Sequence, residues 1–439
     1  MNPPPLGWLG IVRLGLVQSA IGAIVMLCTS LLNRVMVVEY ALPAALPAGL
    51  VAWHYAVQLS RPAWGHGSDR GARRTPWIVL GLATLATGAI AAVGALSLLA
   101  SHSVWGLPLA ILAFSMIGGG VGAAGTSLLA LLATRVAPER RAAAASITWI
   151  MMISGIVVTA GVAGALIDPF SLPRLAKVVG AIATSAFVIA ALGVWGVEGR
   201  PALVQAAASQ TVRPRFGVAL RQMMADEDAR RFTMFVFLSM FAYSMQELIL
   251  EPFAGLLFAF TPGQSTQLGG IQHAGVLGGM ILVGVGGSLR QKTGGKRAAD
   301  GMRLWIVGGC AGSALMLVGL ILAARTGPGW PIAANIAALG LANGVFAVAA
   351  IGAMMGLAGA DGGQREGIRM GVWGAAQAIA FALGGLMGAI GLDLGRALIG
   401  STARTFMIVF AAQAVLFLVA ASLALRSTAR RRQPLPSPA

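Results

Sequence analysis

The sequence predicts an all-α membrane protein with twelve transmembrane helices. Of its 439 residues, 57% are hydrophobic and only 10% are charged, whereas a soluble domain carries about 25% charged residues. Long apolar runs recur along the chain, and a helix needs about 20 mostly apolar residues to cross a bilayer. The net charge of +17 arises from basic residues in short loops between these runs, which indicates a lipid bilayer and not a nucleic acid as the surroundings.

Twelve apolar runs have the length and composition of membrane spans. Continuous runs of this length favour helices over the alternating strands of a β-barrel. In chain order, the predicted spans cover residues 15–37, 43–60, 76–100, 105–134, 143–167, 173–196, 232–258, 267–289, 303–324, 331–358, 369–391 and 404–425.

A long polar stretch divides the twelve spans into two groups of six. An offset of about 224 residues aligns Gly120 with Gly344 and Trp149 with Trp373, so the two groups are predicted to be pseudo-repeats. Two such six-helix halves are the architecture of the major facilitator superfamily. The predicted organisation is an N-terminal half over 1–196, a cytoplasmic linker over 197–231, a C-terminal half over 232–425 and a disordered cytoplasmic tail over 426–439.

The distribution of Lys and Arg predicts the orientation. All but six of the 31 basic residues lie at the termini or in the loops after even-numbered spans. Since cytoplasmic loops carry the excess of Lys and Arg, both termini are predicted to lie in the cytoplasm of a bacterial inner or intracytoplasmic membrane. The six basic residues on the other side are Arg34, Arg174, Lys177, Arg325, Arg396 and Arg404.

The loop after the second span carries a motif. Gly65, Asp69, Arg70, Arg73 and Arg74 resemble the G-x-x-x-D-R-x-G-R-R signature of major facilitator proteins. Glycine permits close helix approach, and an aspartate can pair with an arginine or a helix N-terminus. The resemblance implies a conformational latch; the alternative is a basic loop that only sets the topology.

Two acidic residues lie within the seventh predicted span. Glu247 and Glu251 are four residues apart, which would place them on one face of an α-helix. Placing an ionisable group at the bilayer centre costs free energy, so such a residue indicates a functional or structural role. With Gln246, they are candidates for a proton site, a cation site or a polar anchor for a ligand. The alternatives are an interfacial pair and a structural partner for Arg34, and Pro252 is expected to kink the helix.

Further polar residues lie within the first, second and eighth spans. Asn33 and Arg34 end the first span, where they either reach inward as part of a ligand site or, for Arg34, extend to the membrane interface. His54 and His273 are candidate ligands of a chlorin magnesium, because neutral imidazole binds metals; the alternative is an interhelical hydrogen bond. Neither a catalytic signature nor a metal-binding spacing occurs in the sequence, so neither an enzyme nor a metal site is predicted.

Three segments resemble one known family. They are Leu32–Glu39, Glu247–Phe253 and Met370–Gln377, and they look like those of the PucC/LhaA, or bacteriochlorophyll delivery, family of major-facilitator-like proteins. The run 10–18 and the compact loop 65–76 are similar to the branch labelled as bacteriochlorophyll synthase subunits.

The resemblance implies a role in the assembly of light-harvesting or reaction-centre complexes. Bacteriochlorophyll or a precursor chlorin would be the bound pigment. The expected partners are light-harvesting or reaction-centre subunits and the late enzymes of bacteriochlorophyll biosynthesis. Two alternatives remain open: a proton-coupled secondary transporter of a small solute, and a membrane chaperone that binds light-harvesting subunits without pigment.

Overall fold

The computed structural model describes residues 6–61, 64, 73–137, 140–198, 221, 225, 227–291, 296–358 and 366–427. Most of the predicted linker and the tail beyond Ser427 lie outside these residues. The described chain is helical apart from short connections. Its helices are α1 (Trp8–Glu39), α2 (Ala45–Gln58), α3 (Thr75–Ala100), α4 (Gly106–Arg135), α5 (Arg141–Ile167), α6 (Leu172–Val194), α7 (Glu227–Glu247), α8 (Leu250–Phe258), α9 (Pro262–Gln291), α10 (Lys296–Thr326), α11 (Ile332–Ala358), α12 (Glu366–Ile399) and α13 (Thr402–Ser427).

Eleven segments of the described chain are long and apolar enough to cross a membrane, and α7 and α8 form one of them together as Arg230–Phe258. These segments confirm the predicted all-helical membrane class. The predicted second span, 43–60, differs because α2 has only 14 residues, fewer than the ~20 needed to cross. The chain after α2 is only partly described, and the second span stays a prediction.

The described residues group into two compact units. The first comprises those within Met1–Ser209 and Glu247–His273, and the second those within Gln210–Gln246 and Ala274–Ala439. The segment 247–273, which the sequence assigns to the C-terminal half, therefore packs with the N-terminal helices. Polar side chains hold it there, as described below, and hydropathy alone does not reveal such contacts.

Close helix contacts build the first unit. α1 packs against α5 and α6, and α3 packs against α4. A Cβ atom added at Gly155 of α5 would lie 2.4 Å from the Ser19 carbonyl oxygen of α1, and one added at Gly22 would lie 2.7 Å from the Met152 carbonyl oxygen. Small residues permit this approach, which supplies van der Waals contact where lipid offers no hydrophobic driving force.

The second unit has an aromatic core. α10 packs against α11 and α13. Trp373 of α12 is 1% exposed, and its indole nitrogen donates a hydrogen bond of 3.1 Å to the Thr233 hydroxyl of α7. The Phe232 ring meets the indole edge-on at 5.1 Å, an arrangement that aromatic quadrupoles favour. This hydrogen bond satisfies the only donor of the buried indole ring.

Helix ends follow local chemistry. The Ser171 hydroxyl accepts a hydrogen bond of 3.3 Å from the Arg174 backbone N–H and so caps α6. Gly327 follows α10 with φ +75° and Gly400 follows α12 with φ +67°. Both angles lie in the left-handed region that glycine adopts without strain, so each glycine ends its helix.

We expect Gly155→Ala to destabilise the protein by about 1–3 kcal/mol, because the added methyl group overpacks the contact with Ser19. Gly161→Ala is the matched control on the same helix, since a Cβ atom there meets nothing within 4 Å. Thermal unfolding in detergent measures both variants. Equal unfolding temperatures for the two variants would contradict the close approach of α1 and α5.

Candidate functional site

The seventh span is interrupted where its acidic residues lie. α7 ends at Glu247, Leu248 and Ile249 form a turn, and α8 begins at Leu250. Pro252 lacks a backbone N–H, and that group would otherwise donate to the carbonyl of Leu248 four residues earlier. The interruption lies one turn before the proline, where the missing hydrogen bond leaves a carbonyl without its helical partner.

Asn33 of α1 bonds to this carbonyl. Its side-chain amide nitrogen donates a hydrogen bond of 2.7 Å to the Leu248 carbonyl oxygen, and the residue is 2% exposed. A buried carbonyl without a partner costs about 1–3 kcal/mol. The side chain of one helix therefore replaces the backbone donor that another helix lacks.

α1 is itself irregular around Asn33. Two π-helical turns, Leu27–Leu31 and Val35–Glu39, flank Leu32–Arg34. A π-turn adds a residue to one helical turn, and such turns are frequent at functional sites. All the residues of α1 whose side chains bond to segment 247–273 lie in or between these two turns.

Glu251 is the most deeply buried acidic residue of the site. It is 3% exposed, and its Oε1 atom accepts a hydrogen bond from the Ser30 hydroxyl. Its Oε2 atom has no hydrogen-bond partner among the described residues. A Cβ atom at Gly269 of α9 would lie 2.7 Å from Oε1, so the glycine provides the space that the carboxylate occupies.

Arg34 turns inward. It is 1% exposed, forms an ion pair with Glu39, and donates from Nη2 to the Phe260 carbonyl oxygen at 2.6 Å. Its Nε atom has no partner among the described residues. Arg34 is thus buried within the first unit, and its depth in the membrane stays a prediction.

Sequence reasoning missed Asp168. Its carboxylate accepts hydrogen bonds from the Thr261 hydroxyl and, at 3.2 Å, from the Gly263 backbone N–H. The second bond places a negative charge at the N-terminus of α9, where the helix dipole favours it. The sequence signal is limited to an acidic residue between the fifth and sixth predicted spans.

A cleft of about 590 Å³ adjoins these contacts. It combines an ion pair, a further carboxylate and aromatic rings. Its lining comprises Arg34, Val38, Glu39, Asp168, Pro169, Phe170, Gly255, Ala259, Phe260, Thr261 and Pro262.

The two glutamates of the seventh span lie on either side of the interruption, and their common helical face stays a prediction. Glu247 ends α7 and Glu251 belongs to α8, with the turn between them. Glu247 is half-buried, whereas Glu251 is buried against α1 and α9. In the second unit, Gln246 is fully buried, and neither atom of its side-chain amide has a partner among the described residues.

The two candidate histidines differ in which ring nitrogen forms a hydrogen bond. His54 Nε2 lies 2.8 Å from the Gln58 amide nitrogen, and the Gln58 oxygen accepts from Arg61, which fixes the orientation of the amide. The Nε2 lone pair of His54 is thus engaged. His273 Nδ1 lies 2.9 Å from the Gly269 carbonyl oxygen, and the ring is half-buried.

The predicted latch is only partly described. Gly65, Asp69 and Arg70 lie outside the described residues, and Arg73 is exposed. Arg74 donates to the Ala130 carbonyl oxygen and, at 2.9 Å, to the Thr134 hydroxyl. These bonds connect the start of α3 to the end of α4, and the latch stays a prediction.

The fold and sequence are similar to those of known proteins. The family described as PUCC protein matches residues 31–432. The bacteriochlorophyll synthase 44.5 kDa chain of Rhodobacter capsulatus is 51% identical over 97% of both chains. Protein PucC of Rhodobacter capsulatus is 30% identical over 94% of this chain and 91% of the relative.

A solved structure shares the fold. The inward-facing, occupied form of a bacterial homologue of the human lysosomal transporter Spinster has a TM-score of 0.69 at 14% identity, over 97% of this chain and 98% of that chain. The predicted major facilitator fold is confirmed by this likeness, which concerns the fold alone.

We expect Asn33→Leu to destabilise the protein by about 1–3 kcal/mol, because the Leu248 carbonyl then loses its donor. In a Pro252→Ala background, the new backbone N–H can supply that donor, so the same substitution should cost much less. Thermal unfolding of the single and double variants gives the coupling between the two positions.

Asn335→Leu is the matched control. Asn335 also donates to a backbone carbonyl, that of Met316 at 2.9 Å, but it lies in the second unit. Asn335→Leu should lower the free energy of unfolding by the same amount with or without Pro252. If Asn33→Leu also costs the same in both backgrounds, Asn33 does not replace the missing proline donor.

Proposed function

Since the chain belongs to the PUCC protein family, we propose that it handles bacteriochlorophyll or a precursor chlorin within the membrane. It would thereby assist the assembly of photosynthetic light-harvesting or reaction-centre complexes. The observation that carries the proposal is the likeness along almost the whole chain to a relative named for bacteriochlorophyll synthesis. Its partners would be antenna or reaction-centre subunits and the late enzymes of pigment synthesis.

The first unit offers groups suited to a chlorin. A chlorin is a large apolar ring with carbonyl groups at its edge, and a site for it needs an apolar surface with a few oriented polar groups. Three buried side chains near the start of α9 carry polar atoms with no partner among the described residues, namely Ser265, Thr266 and Gln272. Buried groups of this kind favour a polar ligand or water.

We propose that the chain acts without a catalytic step of its own. The polar groups around Pro252 are engaged in structure: Asn33 bonds to the Leu248 carbonyl and Arg34 to Glu39 and Phe260. These side chains hold the interrupted span and are not arranged around a nucleophile or a base. The protein would deliver pigment to the enzymes that modify it.

A second candidate is a proton-coupled transporter of a small solute. Glu251 favours it, since a buried carboxylate with one oxygen lacking a partner among the described residues suits a group that takes up and releases a proton. Alternating access of the two units would then be required. A fold shared with transporters does not by itself imply transport.

The location follows from the same proposal. A bacterial inner or intracytoplasmic membrane would hold the chain, with both termini in the cytoplasm. The excess of Lys and Arg at the termini and in the loops after even-numbered spans supports this orientation.

We expect the protein, purified in mild detergent from a pigment-producing phototrophic host, to show stoichiometric absorption of bacteriochlorophyll or a precursor. Glu251→Gln should lower the ratio of pigment to protein, because it alters the buried group beside Ser30 and Gly269. Glu227→Gln is the control, since Glu227 pairs with Arg231 one turn later on α7, in the second unit.

The other outcomes identify the alternatives. A colourless protein that co-purifies with antenna subunits would support a chaperone without pigment. A colourless protein without partners, together with solute uptake driven by a pH gradient in vesicles, would support the transporter. Either result contradicts the pigment proposal.

A further inference from the structure

The geometry points to His273 as the axial ligand of the central magnesium of a chlorin, and we propose that this bond selects magnesium-containing pigment. The inference rests on the proposed function. It goes beyond that function by naming one atom, His273 Nε2, and one chemical class of ligand, a magnesium tetrapyrrole. Magnesium in such a ring has four nitrogen ligands in the plane and accepts a further one from the side.

The hydrogen bond of His273 fixes its tautomer. Nδ1 lies 2.9 Å from the Gly269 carbonyl oxygen, and a carbonyl can only accept a hydrogen bond. Nδ1 therefore carries the proton, and the lone pair of the neutral ring lies on Nε2. Histidines that bind metals commonly donate their other N–H to a carbonyl in this way, which orients the ring and increases the basicity of the ligating nitrogen.

The Nε2 atom of His273 has no hydrogen-bond partner among the described residues. The ring is half-buried. Side chains of a helix lean towards its N-terminus, so the ring lies over the preceding turn, where Gly269 and Gly270 leave room for Glu251 and Ala160 of neighbouring helices. The buried Glu251 carboxylate thus contacts the turn that precedes His273, and the site combines a nitrogen ligand with a buried polar group.

His54 lacks these properties. Its Nε2 lone pair accepts from Gln58, whose amide is held in that orientation by Arg61. The neutral ring must then carry its proton on Nδ1, which is buried without a partner among the described residues, and the side chain is 1% exposed. No lone pair of His54 faces open space, so the geometry distinguishes two histidines that the sequence treats alike.

The other two histidines are not candidate magnesium ligands within the part of the chain that the structure describes. His102 lies in the turn after α3, with φ +56°, outside the predicted spans. His66 lies outside the described residues. Among the histidines that the structure describes, His273 alone combines a position within a span, a fixed tautomer and an Nε2 atom with no recorded partner.

The test compares two probes, bacteriochlorophyll a and its metal-free counterpart bacteriopheophytin a. The full-length protein in detergent is titrated with each probe and its affinity is read from absorption. Native protein should prefer the magnesium form by about tenfold or more, since even the loss of a group that only supports a metal ligand costs about 10–100-fold in metal affinity. His273→Leu should bind both forms equally, and His54→Leu should keep the native preference.

Resonance Raman marker bands of the ring provide a second readout. The native complex should show five-coordinate magnesium with a nitrogen ligand. His273→Gly should lose this signature, and added imidazole should restore it, which separates ligation from a general folding defect. A His273→Leu protein that keeps both the native preference and the native bands would overturn the inference.

The outcomes also separate this inference from the function on which it rests. Binding of both probes without preference by the native protein would leave pigment handling intact and remove His273 as a ligand. If the native protein binds neither probe, both the proposed function and the inference fail.

Discussion

The backbone N–H that Pro252 lacks determines much of the candidate site. A transmembrane helix satisfies its polar backbone internally, and the proline removes one of those bonds within an apolar span. The chain turns at Leu248 and Ile249, and the exposed carbonyl is bonded by Asn33 from another helix. Because this partner belongs to α1, the segment after the turn packs with the N-terminal helices, and the compact unit includes residues distant in the sequence.

Charged groups in this region have partners of different kinds, and Arg34 and Glu251 are buried with theirs. Arg34 bonds to a carboxylate and to a carbonyl, Glu251 to a hydroxyl, and Asp168 to a hydroxyl and a helix N-terminus. Desolvated charges require such partners, since each unpaired one is costly in an apolar medium. The atoms that still lack a partner among the described residues, on Arg34, Glu251 and Gln272, mark where a ligand or water would complete the arrangement.

Hydropathy predicted the helices but not the contacts between them. Apolar runs identify spans because a bilayer demands length and composition, which are local properties. The kink at Pro252 follows from its missing backbone N–H and was predicted, whereas the interhelical partners of Glu251 and of the Leu248 carbonyl depend on residues far away in the sequence. Asp168 escaped notice because its partners, Thr261 and Gly263, lie far along the chain. The sequence also could not distinguish His54 from His273 as a magnesium ligand, because the tautomer of each ring depends on hydrogen bonds that form only in the folded chain.

The bond between Asn33 and Leu248 joins residues 215 positions apart, and this separation affects biosynthesis. The first span must enter the membrane long before the ribosome has made the carbonyl that Asn33 will meet. The ion-pair partner of Arg34 is made almost immediately, because Glu39 follows five residues later. The recorded hydrogen bond of Asn33 is to Leu248 alone, so until that residue is made its amide must bond to temporary partners such as water, lipid headgroups or the insertion machinery. The polar centre of the site therefore cannot form before the seventh span has been made.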